Sequence, residues 1–204
     1  MNKIQEILDF WFEDLTDDKL LDRNSKAVKK WFMKDEKFDA EIRAKFGEDY
    51  DKARGGGHKN WEAAARGCLA LVILLDQFSR NIFRDTPKAF ETDSLALDLS
   101  FRSIREKRDA ELLLVERIFL YMPLMHVEDR AVQKLSLQFF ETLVHESRKK
   151  SPQNTPYYEY SFEFAKRHQA IIEKFGRFPH RNAILNRVST PEETAFLEKP
   201  GSKF

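Results

Sequence analysis

Three short segments of the chain gather side chains that can bind an anion or move a proton. In Asp76-Gln77-Phe78-Ser79-Arg80-Asn81-Ile82-Phe83-Arg84, the aspartate and the two arginines recur every four residues. On a helix that spacing stacks them on one face, with Gln77 and Asn81 beside them. The plain reading is a helix exit laced by an Asp76–Arg80 ion pair. The functional reading starts from the apolar run before it: an arginine there needs a carboxylate, a carbonyl or a bound anion, because an unpaired buried charge is costly. The second segment is His126-Val127-Glu128-Asp129. Its carboxylates suit helix capping, and His126 is a candidate acid or base with Glu128 or Asp129 orienting it. One histidine and two carboxylates are not a metal-ligand pattern, so no metal or cofactor is expected. The third is the densest, with Arg177, His180, Arg181, Asn182 and Arg187 interleaved with Gly176, Phe178 and Pro179. Such a loop can cradle a carboxylate or phosphate through guanidinium pairs, or tie the C-terminus to the carboxylates of the other two segments. Either role requires the three to converge.

The elements that must position them read as helices. Ile4, Ile7, Leu8, Trp11 and Phe12 keep helical spacing, as do Val28, Trp31 and Phe32, and Phe38, Ile42 and Phe46. Gly55-Gly56-Gly57 breaks the pattern ahead of a segment from about 60 to 79, apolar on all sides in its second half and so expected at the core. Thr86-Pro87 starts a helix to about 106, and another from about 112 is expected to stop at Pro123, which lacks an amide donor. Helices follow over about 128–148 and 158–175, and Thr190-Pro191-Glu192-Glu193 is a capping box opening a short last one. This is an all-α pattern of antiparallel helix pairs, expected as one domain over 1–204 in a layered or superhelical array. Phe78-Ser79-Arg80-Asn81 with Arg84 and Thr86-Pro87 is echoed by Phe178-Pro179-His180-Arg181-Asn182 with Arg187 and Thr190-Pro191. Chance accounts for matches this short, and no regular repeat period is present.

Composition narrows the function classes. Thirty-five basic against 34 acidic residues leave a formal charge of +1, so no global field favours nucleic acid, and Arg148-Lys149-Lys150 is too short a basic run to suggest it. No apolar run approaches the length of a transmembrane helix, and the acidic residues around Phe10-Trp11-Phe12 do not fit a secretory leader. The lone Cys68 excludes an intramolecular disulfide and fits a reducing, cytoplasmic compartment. There is no nucleophile elbow, phosphate-binding loop or dinucleotide fingerprint.

Ile7-Leu-Asp-Phe-Trp-Phe12, Leu74 to Arg84, Tyr121 to Asp129 and Phe175 to Glu193 together resemble the bacterial family catalogued as domain of unknown function 924. The resemblance spans nearly the whole chain. It implies a tetratricopeptide-like helical fold, with right-handed superhelical or layered stacking, and it implies no established activity. It places the family's polar motif on the residues singled out above: Asp76, Gln77, Arg80, Asn81, Arg84, His126, Glu128, Asp129, Arg177, His180, Arg181, Asn182 and Arg187. The chain departs from the family pattern at Ser79 for proline, Val127 for serine and Asn186 for glycine. Val127 argues against a mechanism through a serine there, whereas Asn186 still tolerates a left-handed turn.

Three functions fit. The chain is expected to be a binding module whose arginine- and histidine-rich pocket takes a small anion or an acidic peptide or protein partner. In the alternative the same pocket is an active site, with His126 or His180 as acid or base, Glu128 or Asp129 orienting it, and Arg80 and Arg181 stabilising negative charge. In the third, the clusters are one internal network that fixes helix packing, and partners bind the outer surface.

Overall fold

In the computed structural model, which describes residues 2–202, every regular element is helical. Helix α1 (Lys3–Phe12) is capped by the Asn2 side chain and buries Ile7, Leu8, Trp11 and Phe12. A single turn, α2 (Lys26–Lys29), brings up Trp31, whose indole donates to the Trp11 carbonyl at 2.8 Å. Helix α3 (Glu36–Arg54) is capped by Asp35 and buries Ile42, Phe46 and Tyr50. Edge-to-face contacts join Trp11 to Phe78 (5.5 Å) and to Phe119 (5.6 Å), while Phe46 stacks on Phe78 at 5.0 Å. These aromatics grip the two central segments, 65–82 and 114–126.

The first central segment is not one regular helix. A 3-10 turn at Lys59–Ala63 leads to α4 (Ala65–Val72), which widens into a π-helical stretch at Ile73–Phe78 and ends as α5 (Ser79–Ile82). The expected 60–79 helix is therefore corrected at both ends, although its burial is as expected, with residues 67–79 all buried. The chain then turns through Asp85, at φ 59°, into a 3-10 turn at Pro87–Phe90 and α6 (Asp93–Arg105). Thr86 and Pro87 thus open a separate short turn and not the long helix expected from them. Thr92, fully buried, joins this region to the π stretch by donating to the Leu75 carbonyl at 2.6 Å.

The second central segment, α7 (Leu114–His126), runs through Pro123 instead of stopping there. Proline removes one backbone hydrogen bond at a cost of roughly 3 kcal/mol, but every residue from Leu114 to Met125 is buried, and that packing outweighs the loss. Gln133 completes the helix end by donating to the carbonyls of Met125 (2.6 Å) and Val127 (2.8 Å). Helix α8 (Arg130–Lys150) returns antiparallel along α7, with Arg117 meeting Glu146 at the far end, and α9 (Thr155–Phe175) returns along α8. Gly176, at φ 70°, closes α9 in the left-handed conformation that glycine adopts without strain. After the 3-10 turn Pro179–Arg181 and the left-handed Asn186 (φ 54°), α10 (Pro191–Leu197) starts in the expected capping box.

Gly67 lies where α4 crosses the 3-10 turn, and a Cβ there would overlap the Trp61 carbonyl, which is backbone and cannot swing away. Gly67→Ala should cost about 1–3 kcal/mol despite the better helix propensity of alanine, read as a lower urea midpoint. A stabilised Gly67→Ala would show that the two elements do not pack this closely.

Candidate functional site

Parts of the three polar segments meet around Asp76. Its side chain is fully buried, with Oδ1 2.8 Å from His126 Nδ1 and 3.1 Å from Arg80, and Oδ2 accepting from Gln77. Burial would raise the carboxyl, but Arg80, His126 and Gln77 outweigh it and hold the pKa down to about 2. A carboxylate only accepts, so the ring nitrogen facing it carries the hydrogen and Nε2 of His126 keeps the lone pair. Burial also lowers the His126 pKa, against the pull of Asp76. The ring is therefore neutral near pH 7. Both backbone irregularities serve this contact. The π stretch carries Asp76 and Gln77, and the helical turn beyond Pro123 carries His126. The orienting partner of His126 is thus Asp76, and neither Glu128 nor Asp129 takes that role.

Arg80 is fully used. It donates to the Asp76 carbonyl at 2.7 Å and makes a two-pronged pair with Asp93 at 2.9 and 3.0 Å. Arg181 approaches the same Asp93 from the other side, but only to 3.7 Å, and its guanidinium lies between the rings of Phe90 (4.7 Å) and Phe178 (4.5 Å). Among the described residues it makes no side-chain hydrogen bond, and its Nε is buried without a partner. Burial, then repulsion from Arg80, lowers its pKa to about 10. This guanidinium is the one member of the cluster whose charge is under-compensated. It lines a cleft of about 620 Å³ together with His126, Val127, Glu128, Phe90, Asp93 and Leu97.

The other predicted site residues lie elsewhere or act as anchors. Glu128 takes Arg187 in a two-pronged pair (2.6 and 2.9 Å) and the Phe178 amide at 2.8 Å, which clamps the 176–187 loop over the end of α7. Asp129 caps α8. Arg177 and Asn182 both reach Glu193 and so tie the loop to α10. Asn81 and Arg84 turn away to Asp39 of α3 because the helix ends at Ile82, so the four-residue ladder from Asp76 stops at Arg80. They border a separate shallow pocket with Lys34 and Arg43. His180 packs beside Phe178 with the rings tilted and 5.6 Å apart, outside the cleft lining. Sequence reasoning missed Asp93, an ordinary acid within the helix expected from Pro87, and Phe90 and Phe178, which read as core aromatics. The His168 ring is buried as well, 6.2 Å from His126. Among the described residues no group of side chains has the makeup of a metal site.

These features define an all-helical protein in which an Asp–His–Arg cluster, fed by three separate stretches of chain, opens onto a cleft. The chain belongs to the family described as bacterial protein of unknown function (DUF924), whose model matches residues 7–201. It is similar in structure to a protein of unknown function, ATU0120, from Agrobacterium tumefaciens, with a TM-score of 0.79 and 34% identity over 96% of this chain and 97% of that one. No curated protein matches.

Two outcomes test this geometry. Asp76→Ala strands Arg80 and His126 beside a buried void and should destabilise the fold by about 3 kcal/mol in urea unfolding; a loss below about 1 kcal/mol would mean the carboxylate is not buried as described. The second concerns pH. Burial lowers His126, His168 and His180, the last to about 4 with Arg181 adding to the effect, from an ordinary 6.5. Below 6.5 the unfolded chain therefore binds more protons than the folded one, so stability is full above that value and falls as the pH drops towards 4. Urea midpoints at pH 7.5 and 5.0 should show the drop, and His180→Asn should shrink it. Equal midpoints would contradict it.

Proposed function

We propose that the chain is a single-domain binding protein, its helices stacked in tetratricopeptide-like antiparallel pairs, that captures a small anion in the cleft at Arg181. The observation that carries this reading is the guanidinium itself: buried, held between two rings, and without a hydrogen bond to the protein. A buried arginine that served only the fold would be paired as Arg80, Arg177 and Arg187 are. Aromatic faces hold it flat and leave its in-plane donors for a ligand oxygen. The lone buried Cys68 supports a reducing, cytoplasmic setting.

A second reading is favoured by the Asp76–His126 pair. A buried carboxylate fixes Nδ1, a neutral ring leaves Nε2 for the cleft, and a cation lies close by, which is the arrangement of a general base beside an anion-stabilising group. On this reading the cleft also transforms what it binds, with Asp76 as the positioning residue.

Arg181→Met separates ligand capture from scaffolding. Methionine keeps the apolar contacts and removes the under-compensated charge, so the unliganded variant should be as stable as the native chain or more so, within about 1 kcal/mol. An internal network would instead lose stability. In the same thermal denaturation experiments, a small carboxylate or phosphate at about 100 times its dissociation constant should stabilise the native chain by roughly 2.7 kcal/mol and leave Arg181→Met unmoved. A variant that melts well below the native chain, together with no anion response in either, would overturn the proposal.

A further inference from the structure

The walls of the cleft say which anion. Beyond Arg181 and His126 its surface is carried by four half-buried apolar side chains, Phe90, Leu97, Val127 and Leu185, drawn from the 3-10 turn, α6, the end of α7 and the C-terminal loop. A volume of about 620 Å³ is in the range of small-molecule sites. The charges around it set a second limit. Asp93 lies on one side of Arg181 and Glu128 on another, and both belong to the lining. Arg80 answers Asp93, Arg187 answers Glu128 and Arg54 answers Glu91, so Arg181 is the one buried unmatched positive charge, with Lys88 exposed at the rim. A diphosphate, a nucleotide or an acidic peptide would press further negative charge against these carboxylates.

Resting on the anion-binding reading above, we infer that the ligand of this cleft is a monocarboxylate with a short apolar body, its carboxylate on Arg181 and its alkyl or aryl portion along Phe90, Leu97, Val127 and Leu185. The two halves of the site then do different work. The guanidinium fixes orientation, because a carboxylate matches its planar fork, and the apolar wall supplies affinity, because each methylene withdrawn from water favours binding. His126 adds a neutral acceptor at Nε2, so a hydroxyl near the carboxylate would find a partner that a purely apolar body lacks.

The test is isothermal titration calorimetry of the native chain, Arg181→Met, Leu97→Trp and Leu185→Trp with acetate, hexanoate, 3-phenylpropionate, hexanol, inorganic phosphate and ATP. Leu97 and Leu185 are only half-buried, so either tryptophan can fill the cleft without entering the core, and melting temperatures confirm that each variant folds. The expected result is that hexanoate and 3-phenylpropionate bind at least about tenfold more tightly than acetate, phosphate or ATP. That advantage should vanish in Arg181→Met and fall at least about tenfold in one of the tryptophan variants. Acetate or phosphate binding as tightly as hexanoate would overturn the apolar-body assignment while leaving anion capture standing. Hexanol matching hexanoate would overturn the role of the carboxylate. Binding of none of the anions would remove both this inference and the reading beneath it.

Discussion

The structure turns on a carboxylate that has lost all contact with water. Asp76 is fully buried, and a bare charge in that position would cost several kcal/mol or be neutralised by protonation. The chain keeps it ionised by drawing in partners from three distances along the sequence: Gln77 beside it, Arg80 one turn on, and His126 fifty residues later. Each partner brings a demand of its own. Arg80 needs a second carboxylate, which α6 provides with Asp93, and His126 needs α7 to continue past a proline. The widened turn at 73–78 and the helical turn beyond Pro123 are the backbone adjustments that satisfy this one group.

Around that centre, three further carboxylates act as clasps for the arginine-rich segments. Asp39 holds Asn81 and Arg84 against α3, Glu128 holds Arg187 and the Phe178 amide, and Glu193 holds Arg177 and Asn182 while closing the capping box of α10. Each clasp is two-pronged, the geometry in which a guanidinium and a carboxylate pair best. The contrast with Arg181 is the main functional clue. Arginines placed for architecture each make a two-pronged carboxylate pair, and the one that faces the cleft makes none.

The two Arg-Asn echoes gain a physical sense from this division. Arg80 and Arg181 approach the same Asp93 from opposite sides, one through two short hydrogen bonds and the other at 3.7 Å. Asn81 and Asn182 each donate to a carboxylate of a flanking helix, Asp39 and Glu193. In each copy the asparagine secures the segment while the arginine is delivered to the shared aspartate. Capture of an anion and base chemistry by His126 are compatible with the same geometry, because the ring nitrogen left by Asp76 and the under-compensated guanidinium belong to one cleft.

Much of this protein was determined by local sequence. Amphipathic spacing placed α1, α3, α8 and α9, and the Thr190-Pro191-Glu192-Glu193 capping box placed α10, because each depends on residues within a few positions of one another. The chemistry of the site was legible as residue types at Asp76, Arg80, His126 and Arg181. Tertiary structure alone decided which of them meet. Local rules end α7 at Pro123, extend the 60–79 helix unbroken and carry the Asp76 ladder to Arg84, and packing of the buried segments overrode all three. Asp93, Phe90 and Phe178 gave no signal of their own, since an acid within a helix and an aromatic at helical spacing have ordinary local uses. What makes Asp93 and Phe90 parts of a site is a guanidinium brought, with Phe178 beside it, from about ninety residues away, and long-range pairing of that kind is set by the balance of charge and burial in the folded chain.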